Sequence, residues 1–514
     1  FFYTQKRAYE ILSGLVGSEM CIRDRHLIIK QMKEVLRIGF VATSISPYYA
    51  EEQNVRKNSE EHLKLILKNY DVELLSFHKT IFSKEDSEEA ERFFNKKIDF
   101  LLLQTSSCSS GEQLYPLCNI VNKMGIWAVP DQETEGDVKL HSLVSTSHYL
   151  GIIKKLLSEK KIKTKWFYNY ADTDEFKNKF LITLRSLIAL KKLKQSKLGL
   201  IGGISPGFDN MIVDNAKIKT NIGTSIEETT IKELIDKAKN FKQPLIDEEI
   251  KKIKAAASSI HVSNDDSFNR VTRVYFALKQ MREENDWDSL AVQCWSQFQE
   301  LYDIAPCMAY GWMGSEDGIA VSCEGDVQGS ISMLLLNYIS NTKKSSTLLD
   351  LATFDTKANA VLMWHCGVSP RHFANEEGIS WVDHSTLGRK TEKKYGVAGD
   401  QVFKPQSSTT TYLGNNAERI LILNSEIFEH TNKGFDGTRG WFKETKLNRD
   451  PISAENLINT LNIIGHEHHY AVGQGDYSKE LLEFAAWNDL KLVEEIPLVD
   501  YISPKDNKSN NLLI

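Results

Sequence analysis

What this chain lacks narrows it first. It has no Cys-x-x-Cys pair, so neither a structural zinc site nor a thioredoxin-like redox motif is on offer. Its seven cysteines are odd in number and scattered, which suits reduced thiols rather than a disulfide framework. No apolar run approaches the roughly 20 residues a membrane helix needs. A net charge of -6 gives no electrostatic reason to expect nucleic acid or an anionic membrane as partner. No internal repeat shows. The Gly-rich dinucleotide fingerprint is missing too, because Gly39 stands alone within its apolar segment. Gly465-His-Glu-His-His-Tyr is not a zincin motif, since the residue four after His466 is Tyr470. A cytoplasmic protein is the reading these absences leave.

What is present is ordinary in bulk: 41% hydrophobic and 26% charged residues over 514 positions. That length is too great for one core and implies about two to four domains. Residues 1–25 have no sustained apolar region of a signal peptide. They resemble translated sequencing-adapter sequence and are set aside as a non-native leader, with the protein proper expected to begin between His26 and Val35. From Leu36, strand-like apolar segments alternate with helix-compatible ones. Ile98-Asp-Phe-Leu-Leu-Leu-Gln reads as a strand buried on both faces. The alternation predicts a parallel, flavodoxin-like or Rossmann-like sheet.

Ser158 to Lys165 reads as a linker, with a second α/β unit starting near Trp166 and a helix over Ser225 to Asn240. After Asp350 the pattern turns to β. The expected class is therefore α/β: an N-terminal α/β domain (35–165), a second α/β domain carrying Glu324 (166–339), and a β-rich C-terminal domain carrying Asp350 and His469 (340–514). The tail from Pro504 reads as loose.

Candidate chemistry concentrates between Gly311 and Gly367. Glu324 closes the β-like run Ile319-Ala-Val-Ser-Cys-Glu, and Asp350 closes Ser346-Thr-Leu-Leu-Asp. Between them, Val327 to Tyr338 is apolar enough for a buried helix. Carboxylates at strand ends suit a ligand site at the carboxyl edge of a sheet; the alternative is that Glu324 caps a helix and Asp350 sits in a turn. His468 and His469 are expected on opposite faces of a strand. Two carboxylates and one histidine suit a hard or borderline ion such as Mn²⁺, with open positions for substrate oxygens. Two Ser/Thr-rich loops, Gln104 to Gly111 (containing Ser107) and Ser142 to His148, follow apolar segments and could bond a polyol; the alternative is that they cap helices.

Three ordered runs carry a resemblance: Val321-Ser-Cys-Glu-Gly-Asp-Val-Gln-Gly-Ser-Ile-Ser-Met-Leu-Leu, Leu349-Asp-Leu-Ala-Thr-Phe and Met363-Trp-His-Cys-Gly. With His469-Tyr-Ala-Val-Gly-Gln-Gly-Asp they resemble the L-fucose isomerase-like family, in order over roughly Val35 to Ile496. That set includes isomerases of L-arabinose, D-arabinose and a sulfonated glucose, sulfoquinovose. The resemblance implies a two-unit α/β N-terminal half, a β-rich C-terminal domain, a homo-oligomer (hexamer or trimer) and an aldose–ketose isomerase of a monosaccharide that uses Mn²⁺ or another divalent cation. By matching position, Glu324, Asp350 and His469 fall on its metal ligands, and Glu324 and Asp350 also fall on its acid/base carboxylates. His365, Arg371 and Ser107 are the candidate substrate contacts, and Arg371 or Lys404 would serve an anionic sugar.

The chemistry agrees with that assignment. Isomerisation moves a proton between C1 and C2 through an ene-diolate that a metal stabilises. One carboxylate takes the carbon proton while the other shuttles the oxygen proton; a hydride shift would use the same ligands. Two other readings stand beside this one, a sugar-binding protein without catalysis and a metal-dependent hydrolase of a sugar derivative.

Overall fold

The computed structural model describes residues 33–342 and 344–497. The leader at 1–25 and the tail from Pro504 lie outside the described residues. No helix among those described is long and apolar enough to cross a membrane.

Five parallel strands form the first sheet: β1 (Leu36–Thr43), β2 (Val72–Ser76), β3 (Phe100–Thr105), β4 (Lys123–Ala128) and β5 (Lys163–Tyr168). Their spatial order is β2-β1-β3-β4-β5, the flavodoxin-like order. The period of two explains how both faces are buried. Ile38, Phe40, Phe100 and Leu102 face the helices Val55–Leu67 and Asp174–Leu193, packing on Leu63, Phe176 and Phe180. Val41, Leu101 and Leu103 turn the other way onto Phe94, Leu117 and Tyr149. Helices on both faces cover the sheet, which is what all-parallel strands require.

The second sheet is smaller and also parallel. It contains β6 (Lys197–Ile201), β7 (Ser225–Thr229), β9 (Ser289–Val292) and β10 (Val321–Ser322) in the order β10-β9-β6-β7. Strand β8 (Ser259–His261) instead pairs with Ser380–Asp383, part of the large C-terminal sheet.

In that sheet six strands close on themselves. Thr347–Asp355 (β11) pairs with Ala360–His365 (β12), which pairs with Thr438–Leu447, then Arg419–Phe428, Gln406–Gly414, His469–Gln474 and back to β11. All six pairings are antiparallel, and closure removes the exposed edges an open sheet would present. Leu349, Tyr412, Leu421, Phe442 and Val472 belong to one apolar cluster that fills this barrel. The architecture is thus α/β with two parallel sheets followed by a β-rich C-terminal part, as expected from sequence.

Several local expectations change. Ser158–Lys165 is not a free linker: Lys163 begins β5 and pairs with Lys123. Ser142–His148 is the first half of the helix Ser142–Leu156 rather than a loop. Ser225–Asn240 divides into strand β7 and the helix Ile231–Ala238, since Thr230 caps that helix by accepting from Glu233 N. Asp350 neither ends a strand nor sits in a turn, because β11 continues to Asp355.

Candidate active site

Asp350 and His469 meet because they are direct cross-strand partners in the antiparallel pair of β11 with His469–Gln474. Opposed residues project from the same face with Cβ atoms roughly 5 Å apart. His469 Nε2 lies 3.5 Å from Asp350 Oδ1. Glu324 arrives from the second sheet, on the turn that follows β10, and its Oε2 is 3.6 Å from the same Nε2. Three groups far apart in sequence thus converge on one point.

The Glu324 turn is held in a conformation that side chains resist. Glu324 has φ 61° and Gly325 φ 74°, consecutive left-handed positions of the kind concentrated at functional sites. A Cβ on Gly325 would lie 2.0 Å from the Gly203 carbonyl oxygen, so the second position admits no side chain. Backbone bonds fix the turn: Ser205 N donates to Glu324 O at 2.9 Å and Gly325 N to Val292 O at 3.1 Å.

Asp326, two residues on, does the capping that was one reading of Glu324. Its Oδ1 accepts from Gly329 N at 2.9 Å, starting the buried helix Val327–Ser340. The same oxygen accepts from the Tyr412 hydroxyl at 2.9 Å. The other oxygen, Oδ2, lies 3.1 Å from His469 Nδ1. A carboxylate beside Nδ1 holds the hydrogen there, so the neutral ring presents a lone pair at Nε2. A Cβ on Gly329 would sit 2.2 Å from Asp326 Oδ2, which keeps that residue a glycine. Asp326 was missed as a functional residue. Its sequence signal, an aspartate just before an apolar helix, announces only the cap.

His468 joins the site instead of facing away. The strand begins at His469, so His468 lies before it and escapes the alternation that would have sent it to the opposite face. Asn210 Nδ2 donates to His468 Nδ1 at 3.3 Å, which leaves Nε2–H to donate to Glu324 Oε2 at 3.4 Å. The His468 ring also packs on Phe208, 5.0 Å between centroids.

His365, at the end of β12, brings its ring within 5.4 Å of that of His469. Its Nδ1 accepts from Cys366 N at 2.9 Å, so Nε2 carries a hydrogen in the neutral and the charged ring alike. His365 thus offers Nε2–H toward the site, and a ring nitrogen of it also lies within 4.8 Å of ligand atoms of Glu324 and His469. Asp350 Oδ1, His365 Nε2 and His469 Nε2 are all buried with no hydrogen-bond partner. Buried polar atoms are almost always satisfied, so three at one place form a cluster of donors and acceptors suited to a ligand. Carboxylate oxygens and an imidazole lone pair suit a divalent cation, and two overlapping groups here, Glu324–His365–His469 and Asp350–His468–His469, each bring three ligand atoms within 4.8 Å of one another.

The electrostatics follow from burial and crowding. Burial raises the Asp350 pKa, Glu324 adds to the rise, and His365 and His469 oppose it. Burial works against a charged His469, but the Asp326 hydrogen bond and the charges of Asp350, Asp326 and Glu324 outweigh it and raise its pKa. His365 is likewise opposed by burial yet pushed up to about 10 by Cys366 and Asp350. Each histidine is responding to a local surplus of negative charge.

Asp350, with a side chain 28% exposed, keeps one edge open to a cleft of about 540 Å³ that Trp364 and Asp436 also line. Such a volume accommodates a monosaccharide. Arg371 and Ser107, the other expected substrate contacts, are engaged elsewhere. Arg371 forks onto Glu316 Oε1, at 3.1 Å and 2.7 Å, and lies over the Trp312 ring. Ser107 is buried at the edge of the first sheet, where its hydroxyl bonds Ser44 Oγ at 2.6 Å.

No family model matches the chain. Individual relatives do. A sulfoquinovose isomerase from Priestia aryabhattai is 23% identical over 411 residues, 79% of this chain and 88% of that protein. One from Alkalicoccus urumqiensis is 24% identical over 376 residues, covering 72% and 80%. A third, from Clostridium sp. (strain MSTE9), is 23% identical over 306 residues, covering 59% and 65%. The chain is similar to sugar isomerases over most of its length.

Proposed function

We propose that this chain is an intramolecular oxidoreductase that interconverts an aldose and its ketose, with sulfoquinovose as substrate and a divalent cation, Mn²⁺, held by Glu324, Asp350 and His469. The observation that carries the reading is the meeting of the unpartnered Asp350 Oδ1 and His469 Nε2 with the Glu324 carboxylate at one point. The named relatives supply the reaction and the sugar, and the resemblance to L-fucose isomerase-like proteins agrees with both.

When bound, the cation supplies positive charge against the oxyanion character that develops on the two sugar oxygens. The chain's own residues do the rest. Glu324 and Asp350 approach His469 Nε2 at 3.6 Å and 3.5 Å, so a sugar whose C1 and C2 lie over that point has both carboxylates within reach. One accepts the proton leaving carbon and returns it to the neighbouring carbon; the other passes the hydroxyl proton to the carbonyl oxygen. His468 Nε2–H holds Glu324 in place, and His365 Nε2–H is a donor to a sugar oxygen. Asp326 fixes the His469 ring.

The test is ¹H NMR in D₂O of sulfoquinovose, L-fucose, L-arabinose and D-arabinose with protein, Mn²⁺ and a chelated control. The expected result is ketose formation from sulfoquinovose that needs the metal, with deuterium entering C2 of the recovered aldose. Conversion of none of these sugars by metal-loaded protein would overturn the reading.

A further inference from the structure

The cleft beside Asp350 carries a second feature. Besides Asp350, Trp364 and Asp436 it is lined by Ser385, Thr386 and Arg389, and Arg389 is the only cation among its described lining residues. Other arginines of the C-terminal part are committed: Arg371 to Glu316, Arg439 to Asp400 and Arg419 to Glu467. The exposed Arg389 side chain has no hydrogen bond or ion pair among the described residues. Ser385 Oγ, in the same lining, is buried and also without a partner.

The segment presenting these groups is pinned. Buried His384 accepts at Nδ1 from the adjacent backbone N–H groups of Thr386 (3.2 Å) and Leu387 (3.1 Å). His384 N donates to Tyr395 O, and Arg389 N donates to Thr386 O. An arginine held by its own turn, with its guanidinium unpaired, is arranged to meet an anion through paired N–H groups.

The geometry points to Arg389, assisted by the Ser385 hydroxyl, as the group that recognises the sulfonate of the substrate. This assignment rests on the isomerase reading above. A hexose with its reacting end at Asp350, which lines the cleft, has its far end, the carbon that bears the sulfonate, within the same cleft as Arg389. Asp436 supplies a carboxylate suited to hydroxyls and repels an anion, so the sulfonate is directed to Arg389. Arg371 and Lys404, the cations considered from sequence, do not line this cleft. The site thereby selects an anionic aldose over its neutral parent.

The experiment compares sulfoquinovose with D-glucose in the Mn²⁺-loaded wild type and in Arg389→Ala, Arg389→Lys and Ser385→Ala. Arg389→Ala should lower the ratio of the two kcat/KM values by about 10- to 100-fold, the range of a charge-assisted hydrogen bond. The loss should fall mainly on KM for sulfoquinovose, with partial recovery in Arg389→Lys and a smaller loss in Ser385→Ala. Calorimetric titration of sulfoquinovose into Glu324→Gln, with and without Arg389→Ala, provides a readout that needs no turnover. Its affinity should fall by the same factor while Mn²⁺ affinity does not change between the two. An unchanged selectivity or affinity in folded Arg389→Ala overturns the assignment, as does a wild type that uses D-glucose as well as sulfoquinovose. If no sugar is converted, the isomerase reading fails while the titration still decides Arg389: binding lost on Arg389→Ala supports it, and binding retained or never seen overturns it.

Discussion

At the carboxyl edge of the first sheet, buried hydroxyls bond to one another. Thr43 pairs with Ser109 at 2.9 Å, Ser44 with Ser107 at 2.6 Å and Thr105 with Thr146 at 2.9 Å. Gln104 Nε2 donates to Ser59, and Ser145 Oγ accepts from Ser109 N. On the barrel, Asp350, His365 and His469 each leave a buried atom unpaired. Both regions are polar, buried and at strand ends or strand pairs, and both read from sequence as sugar-binding candidates. The difference is satisfaction. A network that closes on itself rigidifies the fold and has nothing left to offer; a cluster that does not close carries a cost that a guest must relieve.

The largest expected break in this comparison comes from Glu324→Gln, which keeps the shape and removes the charge. It should lower kcat by about 10³-fold or more, the scale of losing an acid/base group, with the far-ultraviolet circular dichroism unchanged. Loss below tenfold would place the chemistry elsewhere. Next comes Asp326→Asn, which retains an oxygen for the helix cap but sets an amide against His469 Nδ1. Metal affinity should fall by about 10- to 100-fold, the usual effect of removing a ligand's orienting partner; unchanged affinity in calorimetry would show that Asp326 is a cap alone.

A pH titration sharpens the contrast further. Asp350 and His469 have raised pKa values in the metal-free protein, so at lower pH both hold protons that a cation must displace. Mn²⁺ affinity should therefore fall as pH falls, by about tenfold per unit for each proton released, and level off once pH exceeds the raised values. A flat profile between pH 5 and 8 would contradict the ligand set. The smallest effect belongs to the satisfied region. Ser107→Ala removes one hydroxyl partner of Ser44 and should cost about 1 kcal/mol of stability by denaturant melt while leaving kcat/KM within twofold.

Much of the fold was legible because burial on both faces writes continuous apolar runs, as in Phe100–Thr105. Boundaries were harder where a short strand is rich in charge. Ser158–Lys165 reads as a linker because the edge strand Lys163–Tyr168 opens on lysines, which Asp489 and Glu483 pair rather than an apolar core covering them. For the site, residue types singled out Glu324, Asp350 and the His468–His469 pair, and family resemblance chose His469; no spacing rule could link it to Asp350, since the two are a cross-strand pair. Asp326 and Arg389 were illegible for a different reason. Their roles depend on what faces them, His469 Nδ1 in one case and an unpaired cleft in the other.

Calorimetric titration of Mn²⁺ into chelator-treated protein, comparing the wild type with Glu324→Gln, Asp350→Asn, His469→Ala and Ser107→Ala, decides whether these side chains hold the ion. One tight ion per chain is expected in the wild type and in Ser107→Ala, weakened by about 100-fold or more in each of the other three. Equal binding in all five proteins, or none in the wild type, would contradict it.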